Sequence, residues 1–100
     1  GTPLAHFCVD IQGPVMAFME SRLGRRMFSL PDPIAMAVAL NPAVATVVKP
    51  CYVSVDLSDG LTRGQTIVDH LGVTGRPANV KVVLDASREA FVSMLYSAVR

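Results

Sequence analysis

One hundred residues make one domain at most, or a piece of one. Nine basic residues against eight acidic ones leave a net charge of +1, which removes the electrostatic case for nucleic acid or an anionic membrane surface as partner. Hydrophobic residues make up 51% of the chain, yet no apolar run approaches the roughly 18 residues of a membrane span.

Surplus apolar surface on a short chain has to be covered, either by self-association or by the rest of a larger fold. No signal-peptide pattern opens the residues given. Cys8 and Cys51 share no CxxC-type spacing and read as two buried reduced thiols rather than a disulfide, as expected of a cytoplasmic protein.

Thr2-Pro3 opens the first helix with a capping hydroxyl and a proline whose missing N–H costs nothing there. Leu4, Phe7, Cys8 and Ile11 follow at helical spacing, and the stripe resumes as Val15, Phe18, Met19 and Leu23. Between them, Gly13-Pro14 predicts a break or kink, since Pro14 cannot donate to the ladder. Gly24 is the expected stop.

Residues 33–40 form the second predicted helix, apolar on every side and therefore a core element, ended by Asn41-Pro42. Cys51, Val53, Val55 and Leu57 alternate with Tyr52, Ser54 and Asp56 as a strand. Ser58-Asp59-Gly60 turns the chain, and Gln65 to Asp69 returns antiparallel. A loop over residues 72–79 precedes a short strand, Val80 to Leu84. Asp85 and Ser87 then offer caps to a last helix bearing Phe91, Met94, Leu95 and Ala98 on one face. This order suits a terminal segment of a larger α/β protein better than a complete domain.

The stretch Pro31-Asp-Pro-Ile-Ala-Met-Ala-Val-Ala-Leu-Asn-Pro42 resembles the nucleoside hydrolase family, the inosine–uridine-preferring N-ribohydrolases. Three further blocks are similar to that family in the same order. They are Val53-Ser-Val-Asp-Leu with Leu61-Thr-Arg-Gly-Gln-Thr-Ile-Val-Asp69, Thr74-Gly-Arg-Pro-Ala-Asn-Val-Lys-Val-Val-Leu-Asp85, and Phe91 to Leu95. The likeness covers nearly the whole chain but only about the last third of a family member. It implies an α/β fold of which this is the C-terminal part: helices, a short antiparallel strand pair and a terminal helix.

The resemblance also implies hydrolysis of the N-glycosidic bond of ribonucleosides to free base and ribose, with one Ca²⁺ in the pocket. Most of the family's calcium carboxylates lie in an N-terminal DxDxxxDD motif that these residues do not contain; the ligand that maps onto this chain is Asp32. Ca²⁺ takes six to eight oxygen ligands, so Asp32 supplies one donor and not a site. By itself the fragment is expected to be inactive. Where many relatives place a histidine to protonate the leaving base, this chain has Pro31. The expected partners are a ribonucleoside and the remainder of the hydrolase chain or further copies of it. The alternative is a non-catalytic interaction or structural module derived from the family.

Two roles stay open for Asp32. An aspartate before a proline is a natural N-cap for the helix that follows, and one carboxylate oxygen can cap while the other faces a metal. His6 and His70 read as structural, and Arg63, Gln65 and Thr66 as turn chemistry. Arg22, Arg25 and Arg26 read as a solvated helix end. Met16, Phe18, Met19, Met27 and Phe28 are candidates for an apolar wall near a nucleobase, with ordinary core packing as the competing role.

Overall fold

A computed structural model describes every residue of the chain except Arg26 and Phe28. It is a mixed α/β structure of three helices and a three-stranded antiparallel sheet. The chain divides into two compact units, residues 1–44 with 87–100, and residues 45–86.

The first unit is helical. Helix α1, Pro3–Leu23, is capped by the Thr2 hydroxyl oxygen, which accepts from the Ala5 N–H at 3.2 Å. The same hydroxyl donates to the Val99 carbonyl and so ties the start of α1 to the end of the chain's last helix. Gly24 stops α1 in the left-handed region, φ 61°, where its N–H reaches the Glu20 carbonyl at 2.9 Å. The expected break at Gly13-Pro14 does not occur: α1 runs through Pro14 as one element of 21 residues. Proline removes one ladder bond and crowds one carbonyl, a local cost of about 3 kcal/mol. The turns on either side are held independently by the Thr2 and Gly24 caps.

The face that α1 covers also differs from the expected one. Its half-buried positions are Ala5, Cys8, Gln12, Met16 and Met19. The heavier stripe stands outside, with Phe7 59%, Ile11 50% and Phe18 56% exposed. The helix carries apolar residues on both flanks, so pattern alone marks no single inner face.

Helix α2, Pro31–Leu40, begins two residues before the expected start. A 3₁₀ turn, Pro42–Val44, follows it, and the last helix, α3, spans Arg88–Ala98. Ser87, not Asp85, caps α3, accepting from the Ala90 N–H at 3.2 Å. Along α3 the half-buried residues are Ala90, Phe91, Val92 and Met94, whereas Leu95 and Ala98 of the expected face are exposed. The second helix packs against the 3₁₀ turn and against α3. Ala37 and Val44 are buried there, and with Cys51 they are the fully buried apolar residues among those described.

The second unit is a sheet of order β2-β1-β3, formed by β1 Ala45–Val55, β2 Thr66–Asp69 and β3 Val80–Ala86. The expected first strand began at Cys51. The observed one starts six residues upstream, because Ala45 and Val47 to Lys49 pair with β3 rather than with the hairpin partner, and it ends at Val55 rather than Leu57. A register irregularity at Val47 lets the long strand pass its neighbour. The pairing Tyr52↔Asp69 through Val55↔Thr66 bears out the expected antiparallel return.

Pro50 in a central strand is explained by the same register. The Cys51 carbonyl accepts from Asn79 on the β3 side, so the Pro50 nitrogen faces the other side, where pairing with β2 starts only at Tyr52. Just before the start of β3, the Asn79 carboxamide takes over as a pairing partner. It accepts from the Val53 N–H at 2.8 Å and donates to the Val53 carbonyl at 2.9 Å.

Candidate functional site

Asp32 occupies the first turn of α2, between Pro31 and Pro33, and is exposed. It is not the N-cap. That position is Leu30, which makes no side-chain cap bond, so the expected capping role for Asp32 is corrected. The cause lies in Pro31, which carries the fixed φ suited to the first helical position and moves the helix start ahead of Asp32. A cap at Asp32 would accept from the N–H of Ile34 or Ala35, two or three residues on. The first ladder bond is instead Ile34 N–H to the Leu30 carbonyl, at 3.2 Å.

The helix behind this carboxylate is seated along one side and is not the all-round core element expected of it: Met36 and Leu40 are 60% and 72% exposed. Ala37 is buried, and its carbonyl accepts from Asn41 at 2.9 Å. The Asn41 side-chain oxygen accepts from Ala43 at 3.1 Å, and Val44 is sealed at 0% exposure. The Val44 carbonyl then accepts from Ser87 at 2.8 Å, which joins this corner to the start of α3. Asp32 thus presents a carboxylate at the positive end of a helix whose far end is locked.

Ca²⁺ requires six to eight oxygens, several of them carboxylates. Among the described residues no group of three or more Asp, Glu, His or Cys side chains converges. The residues of this chain therefore do not by themselves fit a calcium ion. Asp32 is a single donor.

The remaining candidates fall apart spatially. His6 is exposed on α1. Arg63 pairs with Asp59 within a turn, and the Thr62 hydroxyl and Ser58 N–H hold the Asp56 carboxylate. The hydrogen bond from Thr62, then those from Ser58, lower the Asp56 pKa below its usual value. That block is turn chemistry, as its sequence indicates. Arg22 lies over the Phe18 ring at 5.5 Å on the last turn of α1, the solvated helix end expected of it. Arg26 lies outside the described residues.

Of the apolar-wall candidates, Met16 lines a cavity of about 860 Å³ beside α1 and α3, with Cys8, Gln12, Leu30, Pro33 and Tyr96. Met19 is half-buried elsewhere, Phe18 and Met27 are exposed, and Phe28 lies outside the described residues. The two cysteines are free thiols, Cys51 buried and Cys8 half-buried.

Sequence reasoning missed a small polar cavity in the sheet unit, about 250 Å³, lined by Lys49, Tyr52, Asp69, His70 and Arg76 among others. Its residues come from two strands and a loop, so no local spacing marks them. The loop's Thr-Gly-Arg-Pro turn was the one available signal.

The profile of the inosine-uridine preferring nucleoside hydrolase family matches residues 1–93, and the chain belongs to that family. It is 39% identical over 66 residues to the pyrimidine-specific ribonucleoside hydrolase RihA of Shewanella sp. (strain ANA-3), covering 66% of this chain and 20% of that protein. It is 43% identical over 68 residues to the non-specific ribonucleoside hydrolase RihC of Shigella boydii, covering 68% and 21%. Against RihA of Klebsiella pneumoniae subsp. pneumoniae the identity is 31% over 96 residues, 95% of this chain and 30% of the relative. The chain thus spans between a fifth and a third of the length of these relatives.

Proposed function

We propose that this chain is the C-terminal portion of a ribonucleoside hydrolase, and that Asp32 is one of its calcium ligands. The reaction adds water across the N-glycosidic bond: hydroxide to the anomeric carbon of ribose, a proton to the departing base. The observation that carries the site assignment is an exposed carboxylate in the first turn of an anchored helix whose cap position is Leu30 and not Asp32. The other oxygens for the metal would come from residues beyond these hundred.

In that setting the fixed charge of Asp32 faces the positive character that develops on the sugar as the bond to the base breaks. Pro31 has no proton to give. The leaving base is therefore protonated by a group other than residue 31, or leaves as an anion stabilised elsewhere. We further place the protein in the cytoplasm and in nucleoside salvage, as an oligomer. Free thiols and the uncovered flank of α1 support the first and last of these; among the described residues no helix is long and apolar enough to cross a membrane.

The test is ribose release from inosine and from uridine. The 100-residue chain alone is expected to release none above a no-protein control and to bind calcium no more than weakly. A protein that joins it to the Asp-rich part is expected to turn over. Ribose release by the isolated chain would overturn the assignment of the missing ligands, and a folded longer protein without turnover would favour the non-catalytic module.

A further inference from the structure

In the sheet unit, two cations converge on one cavity without an anionic partner among the described residues. The Lys49 ammonium donates to the His70 carbonyl at 2.6 Å, and Arg76 donates to the Tyr52 hydroxyl at 2.5 Å. Both acceptors are neutral. The guanidinium also lies over the Tyr52 ring, 5.1 Å from its centre. The one ion pair among the described residues, Arg63 with Asp59, lies elsewhere.

The single carboxylate on the cavity wall is Asp69, and it faces the loop. Its oxygens accept from the N–H groups of Val73 and Thr74, each at 2.9 Å, and from the Thr74 hydroxyl at 2.7 Å. These bonds, the Thr74 hydroxyl foremost, hold its pKa down to about 2. The carboxylate therefore braces the loop that carries Arg76 instead of neutralising Arg76 or Lys49. Each cation keeps N–H donors beyond the one it has committed.

We propose that this cavity is a binding site for a phosphate-type dianion, held by Lys49 and Arg76. Two uncompensated positive charges match a dianion better than a carboxylate. A planar fork beside a compact ammonium is the pairing that phosphate oxygens accept in several directions at once. A volume of about 250 Å³ admits a phosphoryl group with room for a sugar-sized remainder, so a larger ligand would extend into solvent. The source is inorganic phosphate or the phosphoryl group of a sugar phosphate. The proposal does not rest on the hydrolase reading, because Asp32 belongs to the other unit.

The experiment is a backbone-amide NMR titration of the full chain with inorganic phosphate, with ribose 5-phosphate and with ribose, at constant ionic strength. Saturable shifts confined to residues 69–76 and 49–52 are expected with the two phosphates and not with ribose. Tighter binding of ribose 5-phosphate would identify the sugar phosphate as source, and equal binding the free anion. Lys49→Gln and Arg76→Gln are each expected to weaken binding on the order of tenfold, the loss of one charge-assisted contact. Lys81→Gln serves as the control and is expected to change nothing. Arg76→Lys keeps the charge and removes the fork, so it should bind with intermediate strength while the amide spectrum stays dispersed. Shifts that never saturate, or equal affinity in Lys49→Gln, Arg76→Gln and Lys81→Gln, would overturn the proposal.

Discussion

Replacement of Asp32 separates a ligand from a cap because the structure predicts different energetics for the two. A capping aspartate lost to alanine costs about 1 kcal/mol, up to about 2. Asp32 has no such bond to lose, because the cap position is Leu30. What remains is the attraction between its charge and the helix N-terminus, about 0.3–1 kcal/mol for an exposed group. Alanine regains part of that through its better helix propensity, about 0.5 kcal/mol. Both Asp32→Asn and Asp32→Ala are therefore expected to stay within about 1 kcal/mol of the parent, a shift of a few degrees in Tm for a domain near this size. In a protein that contains the rest of the hydrolase, both should lower turnover and calcium affinity on the order of 10²-fold or more, the cost of removing a charged ligand. Thermal melts followed by circular dichroism, calcium titration calorimetry and ribose release on the same preparations make the comparison. Asp32→Ala unfolding several degrees below Asp32→Asn, with turnover tracking folded protein, would restore the cap and refute the site. Unchanged turnover in a folded Asp32→Asn protein would do so directly.

Pro14→Ala should stabilise α1 by about 1–3 kcal/mol, since it returns a ladder donor and relieves a crowded carbonyl; a lower melting midpoint would show that the proline shapes the helix in a way its neighbours need. The depressed pKa of Asp69, about 2 against an ordinary 3.8, means that its ionised form is favoured by folding. That contribution is complete above about pH 4 and is lost as pH falls through about 2. Thr74→Val should move the Asp69 titration, read from side-chain carboxyl NMR shifts, up toward the ordinary value; no movement would exclude the hydroxyl as the main cause. The uncovered flank of α1, Leu4, Phe7, Ile11, Val15 and Phe18, should make the isolated chain bind a hydrophobic dye or self-associate. Sedimentation as a clean monomer with no dye signal would contradict that, and Phe7→Asp with Phe18→Asp should abolish either effect.

Legibility from sequence followed how local each determinant is. Thr2-Pro3 and Gly24 bound α1 as their chemistry requires, and Ser87 caps α3. Gln65 to Asp69 pairs back on the strand before it because a turn and an alternating pattern lie in one short stretch. The inner face of α1 was not legible: with apolar residues on both flanks, the choice belongs to whatever packs on it. The early start of β1 was hidden for a related reason. Residues 46–49 carry no alternation of their own, and they are strand because β3, over thirty residues away in sequence, pairs with Ala45 and with Val47 to Lys49. The Lys49–Arg76 cavity depends on that same long-range pairing. The start of α2 turned on a smaller point: two prolines were each credible at a helix opening, and the upstream one holds it.

That displacement of one turn position bears on why a carboxylate stands between two prolines at all. An aspartate that capped the helix would have its oxygens aimed inward at backbone N–H groups, already satisfied and turned from any ligand. With Pro31 at the first helical position the helix starts ahead of Asp32, and the Ile34 N–H is bonded to the Leu30 carbonyl instead of to the Asp32 carboxylate. The rings of Pro31 and Pro33 restrict the backbone through the turn, so the carboxylate is left uncommitted without being left loose. Behind it, Ala37 and Val44 are buried and the Asn41 and Ser87 bonds close the far end of α2, which fixes the direction in which the helix points it. A metal ligand needs those two properties together: orientation set by the scaffold, and lone pairs not already engaged. A cap needs neither proline at residue 33 nor a locked helix behind it. Pro33 is itself compatible with a cap at residue 32, so the paired Asp32→Asn and Asp32→Ala measurements, and not the prolines, decide between an oxygen held for a cation and one that serves only the helix.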